Sequence, residues 1–124
     1  MLGRLLAPRQ TGDEAERVAE NFLIARGLAL VTRNYNCRFG EIDLIMRERD
    51  TLVFVEVRLR RAGKGNDFGG AAASITAKKQ ARIIAAAQHY LSGMKQLPPC
   101  RFDAVLMNGT ASKDVEWLTN AFEA

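Results

Sequence analysis

Two acids stand inside apolar, β-branched runs, Asp43 in "GEIDLIMR" and Glu56 in "TLVFVEVRLR". Burying an unpaired carboxylate costs several kcal/mol or forces it to take up a proton, so each acid needs a compensating partner. A divalent cation is one. Mg²⁺ is a hard ion that takes one or two carboxylates, water and phosphate oxygens, and the backbone carbonyl of Val57, next to Glu56, is a natural further ligand. Arg58 follows Glu56 by two positions and so shares its strand face. Such a set could hydrolyse a phosphodiester: the ion activates water and neutralises charge, and the neighbouring cation steadies the transition state. The plainer alternative is an ion pair of Asp43 or Glu56 with Arg58, Arg38 or Arg101. One strand acid alone favours that alternative, whereas two on adjoining strands followed by a same-face cation favour the metal.

The elements that must position these groups can be read from periodicity. "DEAERVAENFLIAR", from Asp13 to Arg26, repeats at helical spacing and meets a stop at Gly27. "LALVTRNYN" reads as a strand and "NCRFG" as a turn; "EIDLIMR" and "TLVFVEVRLR" then form an antiparallel hairpin across the polar "ERD" stretch. An even loop, for example Arg49 and Asp50 alone, brings Asp43 opposite Glu56 or one pair away, on one face. An odd loop separates them. Val53, Val55 and Val57 line one face of the second strand, while Leu52, Phe54, Glu56 and Arg58 line the other. With both faces largely apolar, the hairpin is expected in a central sheet covered by helices on each side.

Residues 61 to 74 read as a Gly-rich link, and "GKGNDFGG" lacks the ending of a phosphate-binding P-loop. Thr76 can cap a second helix running to Ser92, with Ile83, Ile84, Ala87 and Leu91 inward. Lys78, Lys79 and Arg82 crowd its first turns, against the helix dipole, an arrangement that an anionic ligand would relieve. "RFDAVLM" gives a third core strand and "VEWL" a last one.

Glu16 is a candidate third acid if the first helix overlooks the Asp43 face. Equally, Asp13 to Glu16 can form a capping box in which Glu16 serves its own helix. Asp103 reads first as a partner of Arg101 and second as a support of the site. Lys79 divides evenly between a phosphate contact and a solvated helix charge, and His89 reads as a surface residue.

The 124 residues, 48% hydrophobic and 26% charged, fit one globular domain over residues 11 to 124 behind a flexible arm over residues 1 to 10. Eighteen Lys and Arg against 14 Asp and Glu give a net +4, a balance that favours a polyanionic partner such as nucleic acid. Cys37, Cys100 and the single His89 cannot assemble a zinc spacing and read as reduced thiols and a lone imidazole. With no apolar run of about 18 residues and no signal peptide, a cytoplasmic protein without membrane contact is expected.

"GEIDLI" and "VFVEVR" at this spacing, followed by "FGGAAASITAKKQARI", "CRFDAVLM" and "VEWLTNAF", resemble the YraN family of uncharacterised bacterial proteins over nearly the whole chain. The resemblance implies an α/β restriction-endonuclease-like fold, a central mixed β-sheet flanked by helices, similar to archaeal Holliday junction resolvases. Their PD-(D/E)xK motif places an Asp, a Glu and a Lys around Mg²⁺ or Mn²⁺. Carried onto this chain, it implies Asp43, Glu56 and Glu16 as the acids and Lys79 as a later basic position. Arg58 departs from the motif's lysine: it can hold a phosphate or orient water but stays charged at any working pH and cannot act as a general base. A nearby lysine, Lys64 or Lys79, can substitute, or the ion alone can generate the nucleophile. The expected function is a Mg²⁺-dependent endonuclease acting on branched or damaged DNA. Arg60, Arg61, Lys64, Lys78, Lys79 and Arg82 would track the backbone, and a homodimer is implied because resolvase-like enzymes cut as dimers. The alternatives are a non-catalytic nucleic-acid-binding module on the same fold and a plain interaction protein.

Overall fold

The computed structural model describes residues 7–59, 75–109 and 111–124. Helix α1 (Ala7–Ala25) leads into strands β1 (Ala29–Cys37), β2 (Gly40–Glu48) and β3 (Thr51–Leu59), followed by helix α2 (Ala77–Leu91) and strands β4 (Cys100–Met107) and β5 (Val115–Phe122). The sheet order follows the chain, β1-β2-β3-β4-β5. All neighbours are antiparallel except β3 and β4, which run parallel because α2 carries the chain back across the sheet. This is the expected α/β architecture, a mixed sheet with a helix on each face.

Alternation along β3 explains the two layers. Val53 and Val55 join Ala15, Ala19 and Leu23 of α1, while Leu52 and Phe54 join Ile83, Ala86 and Ala87 of α2. Phe54 stacks on Phe102 at 5.5 Å and Phe102 on Phe122 at 5.0 Å between ring centroids. Truncating Phe54, which is fully buried, to alanine would cost about 3–5 kcal/mol. The α2 stripe is shifted slightly from expectation: Ala86 is buried, whereas Ile84 and Leu91 only flank the core.

The hairpin of β2 and β3 closes through a two-residue loop, since Glu48 pairs with Thr51. Arg49 adopts φ +56° there. The loop is therefore even, as the placement of Asp43 opposite Glu56 requires.

Some boundaries differ from the sequence reading. Helix α1 begins at Ala7, earlier than the expected start at Asp13; residues 1–6 lie outside the described residues. The earlier start also removes the capping box, because Asp13 and Glu16 are inside the helix and no longer at its first turn. Strand β5 runs on to Phe122, past "VEWL", through a bulge in which Phe102 pairs with Phe122 but Ala104 with Leu118. Asn120, at φ +53°, makes that bend.

The β1–β2 ribbon turns over midway. Arg33 reaches Glu20 of α1, yet Tyr35 meets His89 and Tyr90 of α2, and Asn34 between them has φ +50°. Their register partners divide likewise: Leu44 packs in the α1 core and Ile42 in the α2 core. The residue between those two is Asp43.

Candidate active site

Asp43 stands where β2 and β3 part. The paired register runs from Glu48 and Thr51 to Leu44 and Val55; continued by one step it sets Asp43 against Glu56. Beyond that point the backbone N–H of Val57 donates to Asp43 Oδ2 at 2.8 Å, so a carboxylate takes a ladder donor. The N–H and C=O of one strand residue point to the same side, so the Val57 carbonyl also faces the β2 edge of β3. Asp43 and the Val57 backbone therefore meet at this fork, one register step from Glu56.

Both acids are buried, Asp43 at 9% exposure and Glu56 at 4%. Each raises or lowers the other's titration, so the two carboxyls interact. The nearest cations are Lys79 Nζ at 3.6 Å and Arg58 Nη1 at 3.8 Å from Glu56 Oε2, too far for a hydrogen bond. Burial raises the Asp43 pKa against the pull of the Val57 N–H and the Lys79 charge. Burial, then the charge of Asp43, pushes Glu56 up to about 7, with Lys79 and Arg58 opposing. Two interacting carboxyls in a buried site resist being ionised together.

The other buried acids are fully engaged. Glu20 takes a bidentate pair from Arg33 at 2.7 and 3.0 Å. Asp103 receives Arg101 at 2.9 and 3.1 Å, the Trp117 indole at 2.9 Å and the Asn120 N–H at 3.0 Å, which fills both of its oxygens. Asp103 thus serves the fold, the first of its two expected roles. Arg101 is spent on Asp103 and Glu48, and does not reach Asp43 or Glu56.

A metal ion fits the donor chemistry of the pair: two buried carboxylates whose charge nothing fully balances, beside a carbonyl, all hard oxygens. Among the described residues no three of His, Cys, Asp and Glu form a metal-holding group. Glu16 is accordingly not gathered with Asp43 and Glu56; it lines a pocket with Asp13, Arg17, Glu20, Arg33 and Asn34. Mg²⁺ tolerates so thin a protein shell, since it keeps water and takes phosphate oxygens.

Lys79 reaches the pair from the first turn of α2, where Thr76 caps the helix by accepting the Lys79 N–H at 3.1 Å. No acid lies in that turn. Lys79 and Arg82 also line a cavity of about 340 Å³ with Gly40 and Glu41, and Lys78 is exposed nearby in sequence. Arg60, Arg61 and Lys64 lie outside the described residues. The sequence reading passed over two residues. Glu41 adds negative charge felt by Asp43, and its signal was an acid two positions before the strand acid. Gly40 lets α2 approach, because a Cβ there would sit 2.8 Å from the Arg82 carbonyl oxygen.

Among the described residues, no helix is long and apolar enough to cross a membrane. A model of the uncharacterised protein family UPF0102 matches residues 15–107. A UPF0102 protein of Nitrosospira multiformis is 55% identical over 115 residues, covering 93% of this chain and 94% of the relative. One from Nitrosomonas europaea is 57% identical over 112 residues, covering 90% and 92%. One from Psychromonas ingrahamii is 49% identical over 123 residues, covering 98% of each.

Proposed function

The chain belongs to the uncharacterised protein family UPF0102, the YraN family, and we propose that it is a Mg²⁺- or Mn²⁺-dependent endonuclease that hydrolyses phosphodiester bonds in DNA, branched or damaged DNA being the expected substrate. The observation that carries this reading is the contrast among buried acids. Glu20 and Asp103 are saturated by hydrogen bonds, whereas Asp43 and Glu56 face each other at a strand fork with their cations held at 3.6 and 3.8 Å.

Asp43, Glu56 and the Val57 carbonyl would hold the ion, which supplies Lewis acidity toward water and phosphate oxygens. Glu16 would complete the shell from α1 through water. Arg58, 40% exposed in its side chain, offers a fixed charge and a planar fork for the scissile phosphate. Lys79 supplies from α2 the amine that the motif usually carries two residues past the second acid, and can donate a proton or orient water at the phosphate. Arg60, Arg61, Lys64, Lys78 and Arg82 hold the flanking backbone by charge.

The test is cleavage of labelled four-way junctions, flaps and nicked duplexes in Mg²⁺ or Mn²⁺. Wild-type protein is expected to cut at least one of them, and Asp43→Asn and Glu56→Gln to cut none while keeping the fold. The arginine at position 58 favours a second reading, a non-catalytic DNA-binding module, for which binding falls with salt and no substrate is cut by any variant.

A further inference from the structure

We propose that the tip of the β1–β2 hairpin is a stacking site for an unpaired DNA base next to the cut, so that the preferred substrate has unpaired nucleotides beside the scissile phosphate. The proposal rests on the phosphodiesterase reading for the word "cut" and on separate observations for the base.

Phe39 occupies that tip and is 43% exposed. A single exposed apolar side chain is ordinary on a protein surface, but this one ends a file of rings that starts in the core. Phe54 meets Tyr90 at 6.3 Å, Tyr90 meets Tyr35 at 5.2 Å, Tyr35 meets His89 at 6.1 Å and His89 meets Phe39 at 5.6 Å between centroids. The Tyr35 hydroxyl is hydrogen-bonded to His89 Nδ1, which fixes the imidazole on which Phe39 leans. A ring held this way loses little further freedom when a base settles on it.

Charge surrounds the same tip. The Arg38 guanidinium lies 5.2 Å from the Phe39 ring centroid. Among the described residues Arg38 and Arg82 make no ion pair, whereas Lys79 points to Glu56. Gly40, next to Phe39 in the chain, lines one cavity with Glu41, Lys79 and Arg82, and Glu41 is near enough for its charge to act on Asp43. Because Gly40 packs directly on the Arg82 backbone, the distance from Phe39 to the acids is set by the fold. An aromatic face flanked by unpaired cations is the chemistry that receives a splayed base and its phosphates, and stacking needs no particular base.

The test measures fluorescence anisotropy of labelled oligonucleotides in EDTA, so that no cleavage is involved. A blunt duplex is compared with the same duplex bearing a short single-stranded tail. Wild-type protein should bind the tailed DNA more tightly. Phe39→Ala and Phe39→Leu should lose roughly 5- to 100-fold of affinity for it, with affinity for the blunt duplex unchanged; Phe39→Trp should retain the preference. The leucine variant keeps an apolar contact with His89 and so separates stacking from packing. Equal binding of blunt and tailed DNA, no binding of the tailed DNA, or wild-type affinity in the alanine and leucine variants would overturn the proposal. Metal uptake that needs Asp43 without a tail preference would overturn the base site and leave the cleavage reading standing. A tail preference that needs Phe39 without metal uptake would support the base site and remove the cleavage reading.

Discussion

Asp103 and the pair of Asp43 and Glu56 lie in one sheet, buried at 0%, 9% and 4% exposure. Asp103 ties together β4 and the bulge of β5 with bonds from Arg101, Trp117 and Asn120, so its charge is matched and its oxygens are full. At the fork of β2 and β3, by contrast, Asp43 accepts one ladder N–H and Glu56 has only cations at 3.6 and 3.8 Å. The sheet could have closed there with an apolar pair. The contrast shows that burial of an acid is not itself a sign of function; burial with an incomplete partner set is.

The largest effect should come from breaking the saturated site. Asp103→Ala leaves the Arg101 charge and the Trp117 N–H without their partner and should cost about 3–5 kcal/mol in urea denaturation, with the Asp43 site affected only through the fold. Gly40→Ala should cost about 1–3 kcal/mol, because the new Cβ presses on the Arg82 backbone and α2 must shift; cleavage should fall with it, since Lys79 moves too.

Glu56→Gln should do the reverse of Asp103→Ala. Glu56 titrates at about 7 in the fold against an ordinary 4.5, so the folded state keeps a proton that the unfolded state has released. Its contribution to stability is full below about pH 4.5 and is lost as pH rises toward 7. The glutamine variant should flatten that decline and be more stable near pH 8, by on the order of 1–2 kcal/mol, while cutting nothing. Smallest is Lys79→Ala. Removing a charge that lowers the pKa should move Glu56 further up in a carboxyl-detected NMR titration, with less than about 1 kcal/mol change in stability.

Much of this was legible in the sequence because strands report their faces. The parity of β3 set Asp43 against Glu56 on condition of an even turn, which the pairing of Glu48 with Thr51 supplies, and Thr76 announced the start of α2. The start of α1 was hidden because "APRQTG" has no apolar period, and Pro8 looks like a breaker although it is tolerated in a first helical turn. The turnover of the β1–β2 ribbon hangs on one backbone angle at Asn34, which nothing in the residue pattern marks. Glu20 and Arg33 pair across a helix and a strand, a contact that periodicity within either element cannot reveal. Lys79 was one of three cations at a helix start; the resemblance marked it, and its approach to Glu56 separates it from Lys78.

The most direct measurement is calorimetric titration of Mn²⁺ and Mg²⁺ into the wild-type protein and Asp43→Asn, at about pH 6 and pH 8, values that bracket the Glu56 titration near 7. An ion bound there would compete with the proton on Glu56. Saturable uptake by the wild type, stronger at the higher pH and absent from Asp43→Asn, is the predicted result. No uptake at either pH, or equal uptake by the variant, would contradict a metal site at Asp43 and Glu56.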